Sequence, residues 1–145
     1  MSVHVKHEAP PAELRTYYDT WGSYGQHSFK SFAVIKGSEI YDVPAAVKAG
    51  MVKVKSIDDR HSRKNYHFSR VYELSGVDAV VLLCCSASSA KHEASATLVT
   101  QRDDVSIEEM YDENATGIYV AGFKLKCGGK VYDFRVKCFR GRFRV

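Results

Sequence analysis

His61 and His67 flank the basic residues Arg60, Arg63 and Lys64, and Asp58-Asp59 lie just before them. A histidine held by a carboxylate in a pocket shuttles protons near neutral pH, which makes this stretch an acid–base candidate. The competing reading is that histidines scattered over loops are simply solvated, and it carries the expectation: no catalytic residue is assigned. His92-Glu93 has no second histidine beside it to complete a zinc site. Cys84 and Cys85 are adjacent, so on a strand their side chains point to opposite faces. All four cysteines fall in expected strands rather than loops, and buried free thiols are the expectation. No metal ligand set and no cofactor follows from these residues.

Phosphate chemistry is also unsupported by any loop motif. The chain lacks a phosphate-binding loop, a dinucleotide fingerprint, a nucleophile elbow and a zincin helix. Gly128-Gly129-Lys130 has neither the spacing nor the following helix that a phosphate loop needs. It reads instead as a two-residue hairpin turn, since Gly-Gly supplies the positive φ such turns require. Closing the hairpin there sets Leu125 opposite Tyr132, Phe123 opposite Phe134, Ala121 opposite Val136 and Tyr119 opposite Cys138 on one apolar face. The other face sets Lys124 opposite Asp133, Gly122 opposite Arg135 and Val120 opposite Lys137. A one-residue slip would mix the two faces, so the clean separation supports this register.

The charge follows the hairpin. Residues 118–145 hold eight lysines and arginines against Asp133, a balance of +7. The other 117 residues hold thirteen basic against sixteen acidic, a balance of −3. Such asymmetry marks a polyanion-facing end. Lys124, Lys126, Arg135, Lys137, Arg140, Arg142 and Arg144 are the candidate phosphate contacts there, with Phe139 and Phe143 interleaved. A second basic stretch contributes Arg60, Arg63 and Lys64 beside Tyr66, His67 and Phe68. Lysine and arginine neutralise backbone phosphates, and aromatic or arginine planes stack on unpaired bases. Single-stranded RNA is favoured over sequence-specific DNA because no recognition helix is evident.

These candidates must be positioned by a single domain over residues 1–145, with residues 1–9 a flexible arm and 118–145 a basic hairpin and tail. The chain is long enough to bury a core, and its apolar fraction of 45% is ordinary for a globular domain. No apolar run reaches membrane-spanning length, and the N-terminus has no signal-like apolar stretch, so an intracellular, cytoplasmic protein is expected, the nucleus not excluded.

Pro10-Pro11 followed by Leu14, Tyr17, Tyr18 and Trp21 at helical spacing predicts an N-terminal amphipathic helix. Ser28–Lys36, Glu39–Val43, Met51–Ile57 and Tyr66–Leu74 read as strands, and Pro44–Ala49 as a helical turn stopped by Gly50. Val77–Cys85 is apolar on both faces, hence a central strand. Ala94–Gln101 fits either strand or helix. Ser106 with Glu109 at capping-box spacing predicts a short helix to about Asp112. The expected fold class is α+β: a curved antiparallel sheet of five to seven strands, the N-terminal helix, and one or two short helices.

The segment Leu14–Trp21, followed by a closing Tyr/Phe-rich hairpin, resembles the cone-shaped α+β fold of the NTF2-like superfamily. That resemblance implies a pocket-forming ligand-binding domain or enzyme, with Tyr17, Tyr18 and Trp21 lining a cavity and His67 or Asp78 as its polar group. The residues themselves favour a non-enzymatic protein that binds RNA or another polyanion through its C-terminal hairpin. An oligomeric structural or viral accessory protein is the third expectation.

Overall fold

The computed structural model describes residues 2–21, 26–61, 66–87, 92–115, 117–137 and 142–144. In chain order the elements are β1 (Val3–Lys6), β2 (Glu13–Trp21), β3 (Gln26–Lys36), β4 (Glu39–Asp42), α1 (Val43–Lys48), β5 (Val52–His61) and β6 (Tyr66–Leu74). They continue with β7 (Ala79–Ala87), β8 (His92–Thr100), β9 (Val105–Asn114), β10 (Gly117–Cys127), β11 (Lys130–Lys137) and β12 (Arg142–Arg144). A large eight-stranded sheet runs β1-β8-β7-β3-β2-β6-β5, with β4 also paired to β3. A small four-stranded sheet runs β12-β11-β10-β9.

The described chain is therefore nearly all β, which corrects the expected α+β class and its five to seven strands. The N-terminal helix is a strand. β2 pairs with β3 from Tyr17↔Lys30 to Trp21↔Gln26 and with β6 from Glu13↔Glu73 to Asp19↔His67. Its sequence is rich in Thr, Tyr and Trp, which fit a pleated surface better than a helix. The helical spacing was a coincidence of aromatic residues on both faces. Tyr17 meets His67 edge-on at 5.3 Å, while Tyr18 packs on Phe29 at 6.1 Å and Phe68 at 5.9 Å.

The short helix expected after Ser106 is also a strand, β9. Val105 and Ile107 are buried while Ser106 and Glu108 are exposed, a period of two. Ala94–Gln101 resolves as β8. The N-terminal residues expected as a loose arm carry β1, which adds parallel to β8 from Val3↔Ala96 to Lys6↔Val99. The one helix among the described residues is α1, expected as a turn at Pro44. Asp42 caps it, its side chain accepting from Ala45 N at 2.9 Å.

The sheets pack face to face around the first of two cores. Ala33 and Ile35 of β3, Val81 and Leu83 of β7, and Leu98 of β8 meet Ile107, Phe123, Leu125 and Phe134 of the small sheet. On the opposite face of the large sheet, Phe32, Val34, Val80 and Val99 form a second core with Ala46 of α1 and Tyr72 of β6. β3 and β7 are thus buried on both faces, which is why their sequences read as continuous apolar runs.

The terminal hairpin has the expected register from Cys127↔Lys130 to Gly122↔Arg135, with Phe123 and Phe134 fully buried partners. Gly128 and Gly129 have φ of 53° and 80°, as the turn demands. Beyond Gly122 the strand departs from expectation. A bulge between Val120 and Gly122 shifts the β9–β10 ladder, and Val120 rather than Tyr119 packs against the inner core. The bulge thereby reverses which residues of β10 face inward. The Tyr119–Cys138 pairing involves Cys138, which lies outside the described residues.

Candidate functional site

The ten basic candidates separate by what lies beside them. Lys124 and Lys126 of β10 stand on the outer face of the small sheet, among acids. Lys124 sits in a row between Glu108 of β9 and Asp133 of β11. Lys126 Nζ lies 3.6 Å from Glu108 Oε1. Lys126 thus has a carboxylate at hand, and such exposed pairs contribute little to stability.

Arg60 is likewise committed. Its guanidinium forks onto Asp58, with Nε–Oδ1 at 3.1 Å and Nη2–Oδ2 at 2.9 Å. Its hydrogen bond to Arg60 holds the Asp58 carboxyl below the usual carboxylate range. Asp59 takes the neighbouring Arg70, with Nη2–Oδ2 at 2.8 Å. The proposed His–Asp proton shuttle therefore meets two carboxylates already held by arginines. Arg60 lies on β5 of the large sheet, so the two basic stretches are on different sheets. Arg63, Lys64 and Arg140 lie outside the described residues.

Four candidates remain, and the register places them together. Arg135 stands opposite Arg144, and Lys137 opposite Arg142, across the β11–β12 ladder. Arg135 is exposed beside the buried Phe134, so it stands on the outer face of the small sheet. Positions two apart along a strand are about 6.7 Å apart, and neighbouring strands about 4.8 Å. Two pairs of basic positions thus stand on rungs two residues apart in one ladder.

A second feature lies where the sheets diverge. A cleft of about 710 Å³ opens between the Phe29–Cys85–Ala94 row of the large sheet and Tyr111, Ile118 and Val120 of the small one. The bulge is what turns Val120 towards it. Ile118 is 74% exposed and Tyr111 61% exposed at its mouth. On one wall, Glu109 accepts from Ser2 N at 2.8 Å, from Ser2 Oγ at 2.5 Å and from the Tyr111 hydroxyl. The Ser2 hydroxyl hydrogen bond, outweighing burial, holds the Glu109 carboxyl below its ordinary range.

The cavity implied by the cone-shaped resemblance is not this cleft. Tyr17 and His67 pair on the far strands of the large sheet. Asp78 caps the Gly37 amide at 2.7 Å and lies 3.6 Å from Arg102, in a different region. Cysteine chemistry is corrected too. Cys84 and Cys127 are free thiols, but Cys85 is disulfide-bonded. Among the described residues no helix is long and apolar enough to cross a membrane, and no three His, Cys, Asp or Glu residues cluster to hold a metal ion.

Sequence reasoning missed the bulge and hence the cleft. Its signal was Gly122, a glycine inside a strand, which commonly marks a bulge or a close backbone approach. Comparison with known proteins finds no matching family model, no matching curated protein and no matching solved structure.

Proposed function

We propose that the protein binds RNA or another polyanion through the basic residues of β11 and β12. The observation that carries this reading is the opposition of Arg135 to Arg144 and of Lys137 to Arg142 in one ladder. A fold gains nothing from two cation–cation rungs side by side, whereas a phosphate chain laid along them releases its counterions. Single-stranded RNA is favoured over sequence-specific DNA. The one helix among the described residues has six residues, too short to read a groove. Lys124, Lys126 and Arg60, already beside carboxylates, contribute less.

The test is the affinity for a single-stranded RNA oligonucleotide over a salt series. Log affinity should fall linearly with log salt, and removing one cation that neutralises a phosphate should flatten the slope by about 0.7. Arg135→Ala/Lys137→Ala should therefore lower the slope by about 1.4, while Lys126→Ala leaves it nearly unchanged. A slope indifferent to Arg135, Lys137, Arg142 and Arg144 rules the reading out. The cleft between the sheets supports a second reading, small-ligand binding, through the apolar residues exposed at its mouth.

A further inference from the structure

The cleft between the sheets has a charge as well as a shape. Along β9 the inward-facing residues grade from Ile107, buried, through Glu109, half-buried, to Tyr111, exposed. The cleft thus runs from the edge of the first core out to its mouth, with Glu109 part-way in. Across from it the wall is apolar, where Phe29, Cys85 and Ala94 form one row over β3, β7 and β8. Lys30 and Glu93 also line the cleft, both exposed, and offset each other in charge. Glu109 therefore sets the sign of the interior. Building on the small-ligand reading of this cleft, we propose that it takes a small organic ammonium ion with an apolar body. The ammonium meets the Glu109 carboxylate, and the body lies between Val120 and the Phe29–Cys85–Ala94 row.

The bonds already made by the carboxylate select the head group. Oε1 accepts from both the amide and the hydroxyl of Ser2, and Oε2 accepts from the Tyr111 hydroxyl. All three donors are neutral. No lysine, arginine or histidine among the described residues forms an ion pair with Glu109. The Ser2 hydroxyl bond holds the carboxyl below its ordinary range, so it is charged at neutral pH. A carboxylate offers about four acceptor positions, which leaves one open, on Oε2. A guanidinium fork needs both oxygens, and Oε1 is full. An ammonium is a point charge and needs only one. An anionic ligand would meet Glu109 as a like charge in a partly buried site.

Size sets the body. About 710 Å³ falls within the range of small-molecule sites, roughly 300–1,000 Å³, and is ample for a phenyl ring on a two-carbon arm.

Titration of the full chain with phenethylammonium, followed by the shifts of its backbone amides in NMR spectra, tests both charge and place. Shifts should concentrate at Phe29, Ala94 and Val120 and spare Val80, which belongs to the second core. Phenethyl alcohol has the same body without the charge. It should bind about fivefold more weakly, the difference between a charged and a neutral hydrogen bond. Phenethylguanidinium should also bind more weakly than the ammonium, and phenylpropanoate most weakly of all. Glu109→Gln keeps an acceptor oxygen for Ser2 and should bring the ammonium down to the affinity of the alcohol. Ala94→Trp fills the cleft and should abolish the shifts from every probe. Alcohol bound at these amides as tightly as the ammonium overturns the ammonium assignment and leaves the small-ligand reading standing. Absence of cleft shifts with all four probes overturns both. An ammonium preference that survives Glu109→Gln also overturns the assignment, and where a variant fails to fold the four probes on the wild-type chain decide alone.

Discussion

A methyl group added to Gly122 would lie 2.0 Å from the carbonyl oxygen of Phe134 and 3.1 Å from the Cα of Arg135. Both atoms are backbone of the paired strand, so no side chain can rotate out of the way. Beside the bulge, the backbone of β11 leaves no room for a Cβ at Gly122, and only glycine fits the approach. Gly122→Ala should therefore push the two strands apart and destabilise the protein by about 1–3 kcal/mol or more, read from the midpoint of a urea transition. A change within a few tenths of a kcal/mol would mean that the close approach is absent. Functional consequences follow from the same point. Gly122 lies opposite Arg135, so a widened ladder there displaces the first rung of the cationic patch, and RNA affinity should fall together with stability.

At the scale of elements, β1 is a weakly held piece. It is four residues long, mostly exposed, and joined to the large sheet by a single parallel ladder. Its anchor is Ser2, whose carbonyl accepts from Ala96 N at 2.8 Å and whose amide and hydroxyl donate to Glu109 of the other sheet. Because the Glu109 carboxyl is held below its ordinary value of 4.5, its contribution is complete above that value and is lost as pH falls through the lower, folded-state value. Hydrogen exchange at the Ala96 amide, taken relative to Val81 in the central strand, should accelerate as pH drops below the ordinary carboxylate range. Glu109→Ala should show the faster exchange already at neutral pH and remove the pH dependence. Elements were unevenly legible in the sequence. The hairpin at Gly128-Gly129 could be read because its turn chemistry and its two faces agree on one register. β7 could be read because a strand buried on both sides leaves a continuous apolar run. β2 could not, because Leu14, Tyr17, Tyr18 and Trp21 give a helical spacing and a two-sided strand alike, and only its pairing with β3 and β6 decides between them. β9 was hidden by Glu108-Glu109, which suit a helix N-terminus but here stand on opposite faces of a strand. The basic charge of the C-terminal stretch is legible as composition. That Lys124, Lys126 and Arg60 stand beside carboxylates is not, because it depends on strand pairing and on side-chain contacts that no spacing in the sequence gives.

For the whole molecule, the first core decides whether the two sheets are one cooperative unit. The small sheet buries Ile107, Phe123, Leu125 and Phe134 only by facing β3, β7 and β8, and those strands in turn bury Ile35, Val81 and Leu83 only under the small sheet. Neither inner face is covered without the other, and a sheet with an uncovered apolar face does not persist alone in water. Phe134 is fully buried and stands opposite Phe123, so truncating it leaves a cavity in the middle of this shared layer. Phe134→Ala should cost about 3–5 kcal/mol, a large part of the roughly 5–15 kcal/mol typical of a domain. The informative measurement is where that destabilisation is felt. If the sheets unfold together, the free energy of opening at the Val81 amide, on the far sheet, should drop by the same amount as at Leu125 on the near one. Val81 keeping its protection while Leu125 loses it would divide the molecule into two independently folding layers. The cationic face would then ride on a sheet whose stability owes nothing to the rest of the chain.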